Sequence, residues 1–270
     1  MKRPNILFLL ADDMGHWAMR NAGNTDIHTP NLDRLARRGV KFDNFFCASP
    51  VCSPARASIL TGTMPSCHGI LDWLDGGSMD RASLSRESLE YMPHETIPIQ
   101  YTDHLTAYTD ILAAGGYRCA LSGKWHMGDS MTPQHGFSHW YTIGGGGVRY
   151  FNPETIENGV LSEKKGYITD LIGEDALRCL DRFSKEEAPF YLSVHFTAPH
   201  SPWEETDHKK DIWICTGTVI SVPRLTFPTP LAGFHQSSRQ RRTTKGAAAG
   251  LLRRHHSHGS PDRAHDGPPG

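Results

Sequence analysis

Asn5-Ile6-Leu7-Phe8-Leu9-Leu10-Ala11-Asp12-Asp13 is the stretch that decides the fold. An uninterrupted apolar run of this length reads as a strand buried on both faces of a mainly parallel sheet. It stops abruptly at two carboxylates, so Asp12 and Asp13 fall at the C-terminal end of a strand.

The segments that follow alternate in type. Residues 29–39 carry a capping Thr29, Pro30 at the first helical position, Leu32, Leu35 and Ala36 at helical spacing and a closing Gly39, which predicts a short helix. Residues 40–46 read as a strand. They lead into Ser49-Pro50-Val51-Cys52-Ser53-Pro54-Ala55-Arg56, and a helix beginning there puts Cys52 at or near its N-terminus. A helix over 102–114 ends at Gly115-Gly116, and a strand over 117–121 is closed by Ser122-Gly123-Lys124-Trp125-His126. Ile168, Leu171, Ile172, Leu177 and Leu180 share a helical face, and residues 189–196 are again strand-like. Such alternation predicts an α/β fold, a mainly parallel sheet sandwiched by helices. Ligands of open sheets gather at the carboxyl ends of strands. Asp12-Asp13, Lys124/His126 and His200 each follow a predicted strand, so three distant segments can converge on one site.

Composition narrows the partners. Over 270 residues, 28 Lys+Arg face 29 Asp+Glu for a net charge of −1, which gives no overall attraction to nucleic acid or to an acidic membrane surface. Met1-Lys2-Arg3 and the apolar run imitate a signal peptide, but the run is short of a usual apolar region, and a cytoplasmic location is expected. Six cysteines without a CxxC pair lead us to expect thiols rather than a disulfide framework.

The most specific sequence is Pro50-Val51-Cys52-Ser53-Pro54-Ala55-Arg56-Ala57-Ser58-Ile59-Leu60-Thr61-Gly62. It resembles the maturation signature of formylglycine-dependent sulfatases, built around Cys-x-Pro-x-Arg, within the alkaline-phosphatase-like superfamily. The stretch from Gly116 through Gly123-Lys124-Trp125-His126, the Asp12-Asp13 pair and Ala198-Pro199-His200-Ser201-Pro202 match the same family in order and rough spacing. Cys119 departs from it, standing where Ser or Thr is expected.

The resemblance implies a sulfuric ester hydrolase in which Cys52 is oxidised to formylglycine by a formylglycine-generating or anaerobic maturation enzyme. The hydrated aldehyde supplies one hydroxyl to attack sulfur and a second whose deprotonation expels sulfate. A hard cation, Ca²⁺ or another divalent ion such as Mg²⁺, is implied at Asp12, Asp13 and Cys52, since a sulfate ester offers only oxygen ligands. By the same resemblance Arg56 and Lys124 hold the hydrate and the sulfate, His126 is the base for the geminal hydroxyl, and His200 contacts the sulfate or protonates the leaving oxygen. The implied substrate is a sulfated small molecule or carbohydrate. A phosphonate or phosphate ester hydrolase of the same superfamily, or an inactive remnant, is the alternative.

Taken singly these residues have plainer readings. Asp12-Asp13 could cap a helix, Cys52 could be a small buried apolar group, Lys124 a solvated lysine, His126 a bonded core histidine and His200 a turn residue. Their company reverses those readings. Cys47, Cys67, Cys119 and Cys179 are read as core or surface thiols. Gly144-Gly145-Gly146-Gly147 lacks the ending of a phosphate loop and reads as a flexible substrate-side loop.

Residues 1–213 are therefore expected to form an incomplete sulfatase N-terminal domain. From residue 214 the texture changes: eight Lys+Arg face two Asp+Glu, no amphipathic period survives, and His255-His256-Ser257-His258 is an incidental tract. A tail over 214–270 without a fold, arising from a shift of reading frame near Trp213, is the expectation. The family's second acidic metal pair and sulfate-binding lysine have no equivalent: Asp211 comes too early, and Asp262 and Asp266 lie in the tail.

Overall fold

The computed structural model describes residues 3–212, so the expectations for residues 214–270 lie outside the described residues. Six strands, β1 (Ile6–Leu10), β2 (Arg118–Gly123), β3 (Phe137–Ile143), β4 (Glu154–Glu157), β5 (Val160–Glu163) and β6 (Phe190–His195), form one sheet in the order β1-β6-β2-β3-β4-β5. The pairs β1/β6, β6/β2 and β2/β3 are parallel, and β3/β4 and β4/β5 antiparallel. The described α-helices are α1 (Pro30–Arg38), α2 (Cys52–Thr61), α3 (Pro65–His68), α4 (Arg86–Tyr91), α5 (Tyr108–Ala114) and α6 (Ile168–Phe183).

Strand alternation sends successive side chains to opposite faces, and each face has its own core. Ala120, Leu192 and Val194 pack with Ile168, Ile172, Ala176, Cys179 and Phe183 of α6. Cys119, Leu121 and Tyr191 point the other way, onto Ala57 and Leu60 of α2 and the partly buried Leu112 of α5. Burial of each large apolar side chain here stabilises by about 1.5–3 kcal/mol. The sandwich expected from the sequence is present.

Several local expectations are corrected. β1 is not buried on both faces: among the described residues it is the sheet's edge strand, its burial alternates, and Leu7 and Leu9 are 48% and 50% exposed. Residues 40–46 form no strand, because among the described residues no strand pairs with them, and Val40, Phe42, Phe45 and Phe46 face solvent. The helix expected over 102–114 begins at Tyr108. Asp110 accepts from the Ala107 N–H at 2.8 Å and ends the helix there, while the Thr102 hydroxyl is engaged by His135 at 2.8 Å. Leu177 lies off the buried stripe of α6 and is 65% exposed. Thr29 makes no capping bond; its hydroxyl donates to Asp33 and accepts from the Arg20 N–H.

Candidate active site

Four segments meet at the C-terminal end of the parallel strands, as the sequence suggests. Asp12 and Asp13 follow β1, Lys124 and His126 follow β2, His200 follows β6, and Cys52 is the first residue of α2. Arg56 is one helical turn from Cys52, so the two share a face.

Asp12 is the hub. Its carboxylate accepts from the Cys52 thiol at 3.4 Å and from the Lys124 ammonium, and the Arg56 Nη2 lies 3.6 Å away. All three charged side chains are buried: Lys124 has no exposed surface, and Asp12 and Arg56 are 5% and 4% exposed. Burial alone would raise the Asp12 carboxyl, but Lys124 and Arg56 together hold it below the usual carboxylate range. Burial pushes the Cys52 thiol up, and Asp12 and Asp13 add to that against Lys124. The helix N-terminus and the cations do not make Cys52 a thiolate, so it is not poised as a thiol nucleophile.

Glycine fits where the backbone demands it. Gly123 has φ +111°, and a Cβ there would stand 1.9 Å from the His195 carbonyl oxygen. Its absence lets the chain turn inward, where the Lys124 N–H bonds that same oxygen at 2.9 Å. Asp13 and His126 adopt positive φ, 59° and 56°, which non-glycine residues hold only under constraint from their surroundings.

His126 is fully buried, edge-on to Trp73 at 5.8 Å. Its Nε2 is 3.1 Å from the Leu74 carbonyl oxygen, which can only accept, so the proton sits on Nε2. Nδ1 then carries the free lone pair, and no hydrogen-bond partner meets it. Burial and the Lys124 charge lower the His126 pKa to about 3, so the ring is neutral. The glycine run is a snug backing rather than a loose loop: a Cβ on Gly146 would come within 2.4 Å of the His126 ring, and one on Gly144 within 2.3 Å of Met79 Sδ.

His200 Nδ1 lies 2.8 Å from the Ser201 carbonyl oxygen, to which it donates, and Nε2 faces an Asp13 carboxylate oxygen at 3.7 Å. Donor atoms of Asp12, Cys52 and His200 all lie within 4.8 Å of one another. The two carboxylates of Asp12 and Asp13 fit part of a hard-cation site, and they, with an oxygen at residue 52 were its thiol converted, are the groups that would hold such an ion. His195 was missed by the sequence reading. It ends β6, is buried between Arg56, Ser193 and the Lys124 carbonyl, and sits at a strand terminus where a functional residue could have been sought.

A second cluster lies on the α6 side of the sheet, where His139 of β3 meets Asp175 at 3.0 Å near Cys179. Arg178 bonds Asp175 as well, at 3.1 Å, so that buried carboxylate is already matched by cations. Among the described residues the cysteines are free thiols: Cys47 and Cys67 exposed, Cys119 and Cys179 buried, Cys52 half-buried.

The family model "Sulfatase" matches residues 4–212. An N-acetylglucosamine-6-O-sulfatase of Bacteroides thetaiotaomicron is 33% identical over 204 residues, an alignment covering 75% of this chain and 32% of that protein. A solved structure described as a complex with its substrate D-glucosamine-2-N,6-O-disulfate superposes with a TM-score of 0.62 at 29% identity, over 85% of this chain and 40% of the other. A second, a complex with a neocarrahexaose, gives 0.65 at 28% identity over 80% and 49%. The chain thus spans about a third to a half of the length of the proteins it matches. With the Cys52–Arg56 helix, the strand-end carboxylates and the match over 4–212 in agreement, the chain belongs to the sulfatase family.

Proposed function

We propose that this chain carries the nucleophile half of a sulfuric ester hydrolase acting on a sulfated carbohydrate. The observation that carries the reading is the pair of buried cations, Lys124 and Arg56, converging with Asp12 on Cys52. Two carboxylates and two cations sum to zero at the site, so a divalent cation at Asp12 and Asp13 leaves it positive, as an anionic ester requires. When matured, residue 52 supplies a geminal diol, and the cation supplies polarisation of its oxygen.

The chain's own residues do the rest. Arg56 is held with Nη1 on the Lys124 carbonyl oxygen at 2.8 Å and presents a fixed positive fork toward residue 52. Lys124 adds a point charge to the same spot. Neutral His126 offers the Nδ1 lone pair as a proton acceptor, and Leu74 fixes the tautomer through Nε2. His200 is placed beside Asp13 on the open side, where a leaving oxygen can take a proton. The glucosamine disulfate bound by the structural relative supports a sugar sulfate as the substrate class.

The test is turnover by the matured protein of an aryl sulfate and a 6-O-sulfated glucosamine, beside an aryl phosphonate. Sulfate hydrolysis that is lost in Arg56→Ala and Lys124→Ala is expected. A preference for the phosphonate, or sulfate turnover untouched by either substitution, would refute the proposal.

A further inference from the structure

Trp73 takes no part in the chemistry just described, yet its segment is built into the same site. The Leu74 N–H donates to Ser53 Oγ at 3.2 Å, and Ser53 follows Cys52 in α2. The Leu74 carbonyl oxygen accepts from His126 Nε2 at 3.1 Å, and the Leu74 side chain packs onto the core that includes Ala57 and Leu60 of α2. The Trp73 N–H is held in turn by Asp72 Oδ1 at 2.7 Å. The backbone that carries the indole is therefore tied on one side to the helix of Cys52 and on the other to His126.

The ring is placed as firmly as its backbone. It meets the His126 imidazole edge-on at 5.8 Å, and a Cβ on Gly146 would come within 3.0 Å of its Nε1. Although packed in this way, Trp73 is 48% exposed, and among the described residues its indole N–H meets no hydrogen-bond acceptor. Trp17 and Trp203 are exposed as well, but Trp203 donates its indole N–H to the Pro199 carbonyl at 2.8 Å, and Trp17 lies against Gly15 of its own segment. Cys52 itself is surrounded by charge, from Asp12, Arg56 and Lys124. A sugar sulfate presents two chemistries: an anionic group, and a ring with an apolar C–H face and hydroxyls at its edge. The charged groups suit the first, and an apolar ring with a free polar handle suits the second.

We propose that Trp73 is the specificity-determining platform for the sugar: its exposed indole stacks on the apolar face of the ring whose sulfate lies at residue 52, and Nε1–H donates to an oxygen at the edge of that ring. The inference rests on the reading of Cys52, Arg56 and Lys124 as the sulfate site. It adds a residue that recognises the sugar and leaves the sulfate to the cations. Because the platform is fixed by Ser53, Asp72 and His126 before ligand arrives, little ordering is required on binding.

The test is equilibrium binding to the unmatured chain with Ca²⁺ present, so that no turnover intervenes. Glucosamine 6-sulfate and inorganic sulfate are titrated separately, and the readout is the ratio of their affinities, which cancels any general disturbance of the sulfate site. In the wild type the sugar ester binds more tightly, and proton NMR shows its ring protons moved upfield by the indole ring current. Trp73→Ala is expected to lower the ratio about tenfold, the effect of truncating an aromatic anchor, and to abolish the upfield shifts. Trp73→Phe keeps a smaller aromatic face and most of both effects. Thermal melting confirms that each variant is folded, and the shifts in the wild type read the stacking without any substitution. A folded Trp73→Ala protein with the wild-type ratio, or bound sugar without upfield shifts, overturns the proposal. A wild type that binds sulfate as tightly as the sugar ester overturns the platform alone. One that binds neither overturns the sulfate-site reading and the platform with it.

Discussion

Replacing Asp12 by Asn removes the one buried anion shared by Lys124 and Arg56 and leaves the shape of the site unchanged. Both cations are out of water, so neither can be rehydrated without opening the sheet end. Taking one partner from such a cluster costs about 3–5 kcal/mol. We expect Asp12→Asn to destabilise by about 3–5 kcal/mol. Lys124→Met should cost much less, about 1–2 kcal/mol, since a flexible apolar chain fills the same space and Asp12 keeps Arg56 3.6 Å away. The double variant should fall well short of the sum, because once Asp12 is gone Lys124 is a liability. Urea unfolding at pH 7 with chelator measures all three; with a slope near 2 kcal/mol/M, Asp12→Asn lowers the midpoint by about 1.5–2.5 M. An Asp12→Asn protein within about 1 kcal/mol of wild type, or a Lys124→Met protein equally damaged, would refute a buried, mutually dependent charge cluster.

Acid should weaken the fold early. His126 and His195 have pKa values lowered to about 3, so below pH 6.5 the unfolded chain binds protons that the folded chain refuses, and stability falls by about 2.7 kcal/mol per pH unit between roughly pH 5.5 and 4. Urea midpoints that stay flat from pH 6.5 to 4.5 would contradict the burial of two neutral rings. At the other end, His139 is raised to about 9 because Asp175, and with it Cys179, outweigh burial; its contribution of up to about 3 kcal/mol is full below pH 6.5 and disappears as pH rises through 9. His139→Gln should erase that alkaline loss, and an unchanged alkaline profile would count against the pair. Gly123→Ala should prevent folding, given the backbone oxygen 1.9 Å from the new Cβ, whereas Gly146→Ala presses on the His126 ring and should cut sulfate turnover more than it lowers the melting temperature.

Much of this was legible in the sequence because the carriers are local. An apolar run stopped by two aspartates, or Cys52 and Arg56 four apart at a helix start, needs no tertiary knowledge to interpret. What failed depended on neighbours. The run Ile6–Leu10 looks doubly buried in sequence, but Leu7 and Leu9 lose that burial because β1 stands at the edge of the sheet among the described residues. The apolar residues over 40–46 carry strand propensity, but no described strand pairs with them. Reading His126 as a base from its motif says nothing of its enclosure, where desolvation is the largest cause lowering its pKa to about 3. His195 escaped notice since its meaning lies wholly in contacts with α2 and the turn after β2, and no spacing in its own segment announces them.

The central claim is that Cys52 is the precursor of the nucleophile, and the mass of its peptide tests this most directly. The chain is co-expressed with a formylglycine-generating enzyme beside a known sulfatase, and the tryptic peptide containing Cys52 is weighed. The account predicts a loss of about 18 Da at residue 52 and at no other cysteine, the change from thiol to aldehyde. A Cys52 that keeps its thiol mass while the companion sulfatase is converted would contradict it.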